Sequence, residues 1–334
     1  MSSNIDRRDI LRGAGVGVVM AVLSGVEPGL AAPAGKEAAP GSANGATAGR
    51  AFSADQMITE LVPGRLYRVG CVVKAERLSW LPQDLDGFEA VNSYVLTDKD
   101  NVVFFEMGLP IARPAMEQAV AKLVGNRRVY VDFTRNEADC IGNMGYVLGT
   151  CRNPTLLYGT AGGVLEWIND PHVSELEVRN FLGRVPIESA KNGETKKIGA
   201  MEFTWMDAGT KMMLMTQWAF EKSTGCLFTS ESFGWRHIPT INSPVIVDTA
   251  ASLPSAVTVA REMVARMNWM REAEYQPVID RFVSIFKQYD VQMIAPVHGC
   301  VIKGREAVVA HVERAVEALK IASKLPDTER MQYA

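Results

Sequence analysis

Residues 129–142 read Val129-Tyr130-Val131-Asp132-Phe133-Thr134-Arg135-Asn136-Glu137-Ala138-Asp139-Cys140-Ile141-Gly142. The first five form a β-branched and aromatic run that predicts a strand. The chain then turns polar, and an arginine, two acids and a thiol fall within residues 135–140. Working outward, the runs at 66–73, 93–96 and 102–106 also read as strands. Segment 112–124 carries apolar Ala115, Met116, Ala119, Val120 and Leu123 at helical spacing and is stopped by Gly125-Asn126. A second block predicts strands at 202–205, 212–218 and 226–229, helices at 255–269 and 278–289, a strand at 292–296 and a closing amphipathic helix at 305–324. No solenoid period is visible. Two strand-rich halves, each finished by helices, are most simply built as two sheets packed face to face with helices outside.

The chain has 334 residues, 47% hydrophobic and 22% charged, enough for a large core and unlike a disordered, collagenous or polytopic membrane protein. Its 35 basic and 38 acidic residues leave a net charge of −3, so there is no general attraction to a phosphate backbone and no nucleic-acid partner is expected. No Ser/His/Asp spacing, P-loop or dinucleotide fingerprint occurs.

At the N-terminus, Asp6-Arg7-Arg8-Asp9-Ile10-Leu11-Arg12 precedes a weakly charged stretch to Leu30 and then Ala31-Ala32-Pro33-Ala34. Residues 1–34 resemble a twin-arginine signal peptide, which implies export of a folded protein to the periplasm. The apolar run is interrupted by Gly13, Gly15, Gly17, Gly25 and Gly29 and is shorter than the roughly 20 residues of a bilayer span, so no stable membrane span is expected after cleavage. Cleavage after Ala34 removes three basic and three acidic residues and leaves the net charge at −3. Residues 35–52 read as a disordered Ala/Gly/Pro/Ser-rich linker, and 53–334 as one folded domain.

Within that domain, Ala90-Val91-Asn92-Ser93-Tyr94-Val95-Leu96 leads to Phe104-Phe105-Glu106-Met107-Gly108. Leu227-Phe228-Thr229-Ser230-Glu231-Ser232-Phe233-Gly234 and Ile294-Ala295-Pro296-Val297-His298-Gly299 follow later. Together with 134–142 these stretches resemble the metallo-β-lactamase fold, nearest the diiron domain of the flavodiiron proteins, which reduce dioxygen or nitric oxide. Glu137 carries the distinction, because hydrolases of this fold usually have histidine there. The resemblance covers roughly 60–320 and implies an α/β (α+β) fold, a four-layer αββα sandwich. It also implies that a flavodoxin module bearing FMN would follow, for which no room is expected before Ala334; any redox activity would then need an external electron donor.

The resemblance also implies a metal-ligand pattern that this chain departs from. Where the family has His, any, Glu, any, Asp, His, this sequence has Arg135, Asn136, Glu137, Ala138, Asp139 and Cys140. A further histidine would fall near Thr210 or Lys211, the bridging aspartate is replaced by Glu231, and the last histidine is kept as His298. The first ion's ligands are thereby reduced to Glu137 and Glu231, and an arginine joins them. A guanidinium cannot ligate a cation, but it can stand in for the ion's charge. The second site keeps Asp139, Cys140, Glu231 and His298, a set able to hold one zinc or iron ion. Alternatively, Cys140 is a buried small hydrophobe or half of a disulfide with Cys151 or Cys300, and His298 only hydrogen-bonds the acids.

The expectation is an exported binding or sensing module with a dismantled dinuclear site, in which Arg135, Glu137, Lys211, His237 and His298 offer a cleft for a small or anionic ligand. The alternative is a mononuclear hydrolase or oxidoreductase using Asp139, Cys140, Glu231 and His298. Met212, Met213 and Met215 read as core filler on a strand. His172 and His311 read as surface residues, and Trp80, Trp205 and Trp235 as possible walls of the cleft.

Overall fold

A computed structural model describes residues 57–78, 80–82, 84–158, 185–212, 215–235 and 237–325. The expected leader at 1–34, the linker at 35–52, His172 and Met213 lie outside the described residues.

Strands β1 (Ile58–Val62), β2 (Leu66–Lys74), β3 (Phe88–Thr97) and β4 (Asn101–Phe105) pair antiparallel in sequence order. Helix α1 (Arg113–Leu123) then crosses over to β5 (Arg128–Asp132), parallel to β4. Two short helices, α2 (Ala138–Ile141) and α3 (Met144–Thr150), lead to β6 (Thr155–Tyr158), and β7 (Ile187–Ser189) completes a seven-stranded sheet. The second half opens with β8 (Thr195–Ile198), β9 (Met201–Asp207), β10 (Gln217–Glu221), β11 (Cys226–Phe228) and β12 (Ile246–Val247). Helices α4 (Ala256–Arg266) and α5 (Tyr275–Gln288) follow, then β13 (Met293–Ala295), β14 (Val301–Lys303) and α6 (Arg305–Ala322). The second sheet runs β12-β14-β13-β11-β10-β9-β8.

The two-residue period of the strands sorts the side chains into three cores. In β4, Val103 and Phe105 face the space between the sheets, while Val102 and Phe104 face α1 and its neighbours. In β10, Ala219 faces between the sheets, while Trp218 and Phe220 face α4, α5 and α6. Phe105, Phe203 and Phe228 stack across the central layer, Phe105 and Phe228 with centroids 4.1 Å apart. Apolar burial is therefore satisfied in a helix, sheet, sheet, helix order, the expected four-layer sandwich. Among the described residues, no helix is long and apolar enough to cross a membrane.

Three local expectations change. The strand expected at 212–218 begins only at Gln217, because its hairpin partner β9 ends at Asp207, paired with Gln217. Met212 lies in the connecting loop and packs, half-buried, against the helix-side core. The helix expected at 255–269 ends at Arg266, where Met267 leaves helical geometry (φ −133°, ψ 74°) and a 3-10 turn, Asn268–Arg271, follows. His311 is fully buried rather than on the surface; its Nδ1 lies 2.8 Å from the Ala307 carbonyl oxygen one turn earlier.

Candidate functional site

Arg135 follows the end of β5, where the sheet hands the chain to the loop before α2. Its side chain is fully buried. Nε donates to Glu137 Oε2 at 2.5 Å, and Nη1 donates to Ser230 Oγ at 2.7 Å. Nη2 donates to both Asp139 Oδ2 and Glu231 Oε1. One guanidinium thus touches every acid of the first ligand loop and the bridging position. Asp139 and Glu231 also meet His298, whose Nε2 lies 2.6 Å from Asp139 Oδ2 and 3.3 Å from Glu231 Oε1.

The turn that carries His298 is held by the Asn92 side chain and by close backbone contacts. Asn92 Nδ2 donates to the carbonyl oxygens of Pro296 and Gly299 at 2.9 and 2.8 Å, and Val91 bridges to His298 across the sheets. Gly299 sits at φ 78°, and a Cβ there would meet the Gly234 carbonyl oxygen at 2.5 Å. Only glycine suits both the left-handed backbone and the close approach.

A second guanidinium, Arg266 at the end of α4, completes the cluster. Nη1 donates to Glu231 Oε2 at 3.2 Å, and Nη2 donates to Glu89 Oε1 and, at 3.2 Å, to the Gly234 carbonyl oxygen. Glu89 also accepts from Trp80 Nε1 at 2.9 Å, and the Trp80 ring lies 4.9 Å from that of His298. His237 joins at the edge, Nε2 to Glu262 Oε2 at 2.6 Å.

Burial opposes every one of these charges, and the neighbours more than offset it for most of them. Arg135 is held above its ordinary range by Asp139 and Glu231, Arg266 by Glu89 and Glu231, and His298 is pushed up to about 10 by Glu231, Glu89 and Asp139. The carboxyls of Asp139 and Glu231 are depressed chiefly by Arg135, and that of Glu89 by Arg266. Three cations therefore face three fully buried or nearly buried carboxylates. Glu262 differs: burial outweighs His237 and Arg266 and raises its carboxyl.

Cys140 is not drawn into this cluster. Successive residues on a helical turn project about 100° apart, so on α2 Asp139 turns to Arg135 while Cys140 turns into the core beneath α1 and α3. Its thiol lies 3.9 Å from Thr134 Oγ1, and burial raises it well above its usual value. All five cysteines are free and buried, so neither of the alternative disulfides of Cys140 is formed. Asp139, Glu231 and His298 do come together, each offering a donor atom within 4.8 Å of the others.

Lys211 is placed elsewhere, pairing with Asp207 at 2.5 Å on the rim of a pocket beside Trp269. Thr210, also expected near the site, hydrogen-bonds Ser232 through its hydroxyl. Trp205 and Trp235 are core residues rather than walls of a cleft. The reading of the sequence missed Arg266, Glu89 and Glu262. The available signal was a Glu262/Arg266 pair four residues apart on the otherwise apolar face of α4.

No family model and no curated protein sequence matches the chain. Solved structures do. Rubredoxin oxygen:oxidoreductase from the anaerobe Desulfovibrio gigas superposes with a TM-score of 0.58 at 15% identity, covering 79% of this chain and 61% of that one. The flavodiiron protein from Giardia intestinalis gives 0.53 at 16% identity, covering 78% and 59%. A flavoprotein from Thermotoga maritima gives 0.53 at 14%, covering 76% and 60%. The chain therefore has the fold of the flavodiiron proteins, whose diiron domain is a metallo-β-lactamase sandwich, and spans about three fifths of their length.

Proposed function

We propose that this chain is an exported, periplasmic binding or sensing protein in which the dinuclear site of its fold is dismantled and arginine supplies the missing positive charge. The carrying observation is that one Arg135 nitrogen donates to both Asp139 and Glu231. A guanidinium bound to two of the acids that could hold an ion repels a second cation. With Arg266 on the other oxygen of Glu231, the acids have their counter-charges from the polypeptide. The residues present do not fit a pair of irons, because a guanidinium occupies the place of a ligand among the acids. What the arrangement can do is hold a buried, charge-balanced centre that fixes the loops around it. Metal analysis of purified, signal-cleaved protein tests this: less than a tenth of an equivalent of iron or zinc is expected, and two equivalents of iron would overturn it.

A second reading has two observations in its favour. Asp139, Glu231 and His298 are spaced to hold a single ion, and Asp139 Oδ1 is buried without a hydrogen-bond partner. In that case the three would hold a zinc or iron ion that activates water. One stoichiometric ion, lost in His298→Ala, would establish this reading over the first.

A further inference from the structure

Away from the charge cluster, a pocket of about 440 Å³ opens between the loop after β9 and the start of α5. Its volume lies within the range of about 300–1,000 Å³ typical of small-molecule sites. Ala208, Met212, Trp269 and Val278 supply an apolar wall. Trp269 is 41% exposed, a large aromatic left uncovered on the surface, and its ring is fixed because Nε1 donates to the Lys211 carbonyl oxygen at 2.8 Å.

Two cations and one acid complete the lining. Lys211 Nζ lies 2.5 Å from Asp207 Oδ1, and Arg281 Nη2 donates to the Asp207 carbonyl oxygen at 2.7 Å. Asp207 thus anchors both cations and neutralises one, leaving one positive charge on the rim. The guanidinium of Arg281 uses one nitrogen for that anchor and is exposed to solvent. A fork held at one prong is pre-organised to present its remaining N–H groups to a carboxylate.

From this juxtaposition of a fixed, uncovered indole with a net single positive charge, we infer that the pocket binds a small organic monoanion with a flat apolar body, an aromatic carboxylate being the simplest. The carboxylate pairs with Arg281 and Lys211, and the ring packs on Trp269 and Val278. The inference rests on the binding reading above and gives it a ligand class. It also moves the ligand from Arg135 and His298 to a site that the buried cluster does not occupy.

Isothermal titration with 2-naphthoate and its neutral isostere 2-naphthamide tests this on the full chain. Saturable one-to-one binding is expected, with naphthoate at least tenfold tighter. Arg281→Met should abolish that preference while keeping naphthamide binding, and Trp269→Ala should weaken both ligands at least fivefold. Both positions are exposed, so neither variant threatens folding. Equal affinity for the two compounds, or no saturation at millimolar concentration, overturns the inference. Metal content measured on the same sample separates the two claims. Two irons with naphthoate bound removes only the charge-replacement proposal, and metal-free protein that ignores naphthoate removes only the pocket.

Discussion

Arg266 grips Glu231 on the oxygen opposite the one held by Arg135, Nη1 to Oε2 at 3.2 Å. A carboxylate clamped on both edges is fixed in orientation, and its charge is shared between a loop arginine and a helix arginine. Neither cation can leave without exposing the same acid.

Replacement of Arg135 by methionine leaves Asp139 as a buried anion with only His298 beside it, and Glu231 with only His298 and Arg266. Loss of one partner from a buried ion cluster costs about 3–5 kcal/mol. Urea unfolding should show a loss of that size, and a change below about 1 kcal/mol would mean that the arginine is not the acids' counter-charge. Zinc should raise the midpoint of Arg135→Met, whose triad is then open, and should leave the wild type unchanged.

Stability should fall on the alkaline side because of His298. Its pKa is raised in the folded state from an ordinary 6.5 to about 10, so its contribution is fully present below about pH 6.5 and is lost as pH rises towards 10. Urea midpoints taken from pH 6 to 10 should decline, and His298→Gln should flatten the curve. A wild-type profile flat across that window would contradict the buried imidazolium.

Asp132 predicts a slope at lower pH. It is buried, accepts from Trp205 Nε1 at 2.8 Å, and burial pushes its carboxyl from 3.8 up to about 7. The folded state then binds the proton more tightly, and this group's contribution to stability declines between about pH 4 and 7. The depressed acids Asp139, Glu231 and Glu89 act oppositely, adding stability as pH rises through their unfolded range. Asp132→Asn should therefore be more stable than wild type at pH 7 and equal to it near pH 3.5, as read by thermal unfolding at the two pH values.

Thiol chemistry gives a check that involves no mutation. With every cysteine buried and burial pushing Cys71 and Cys151 up to about 11, a disulfide reagent should find no reactive thiol in the native protein at pH 7.5 and five after guanidinium unfolding. A count of three after unfolding would reveal a bridge.

The sandwich was legible because β-branched and aromatic runs and helical spacing are local signals, and most strands and helices fall where those signals lie. Arg135 was legible for a different reason: it interrupts a known ligand pattern at a fixed distance from a strand end. Arg266 and Glu89 escaped because neither lies near a motif. Each looks like an ordinary charge on a helix or strand until the two halves of the sandwich close, and their 177-residue separation carries no local trace. Lys211 was misplaced for the converse reason. Its chain proximity to the expected histidine is not spatial proximity, because Asp207 turns the lysine outward.

The double clamp on Glu231 also bears on how such a protein could change over generations. A lineage that replaced Arg135 with a histidine would gain a ligand but forfeit a compensating charge, and Arg266 would still hold one carboxylate oxygen. The two arginines thus make the centre resist piecemeal conversion, since a change at either one leaves the other's charge in place.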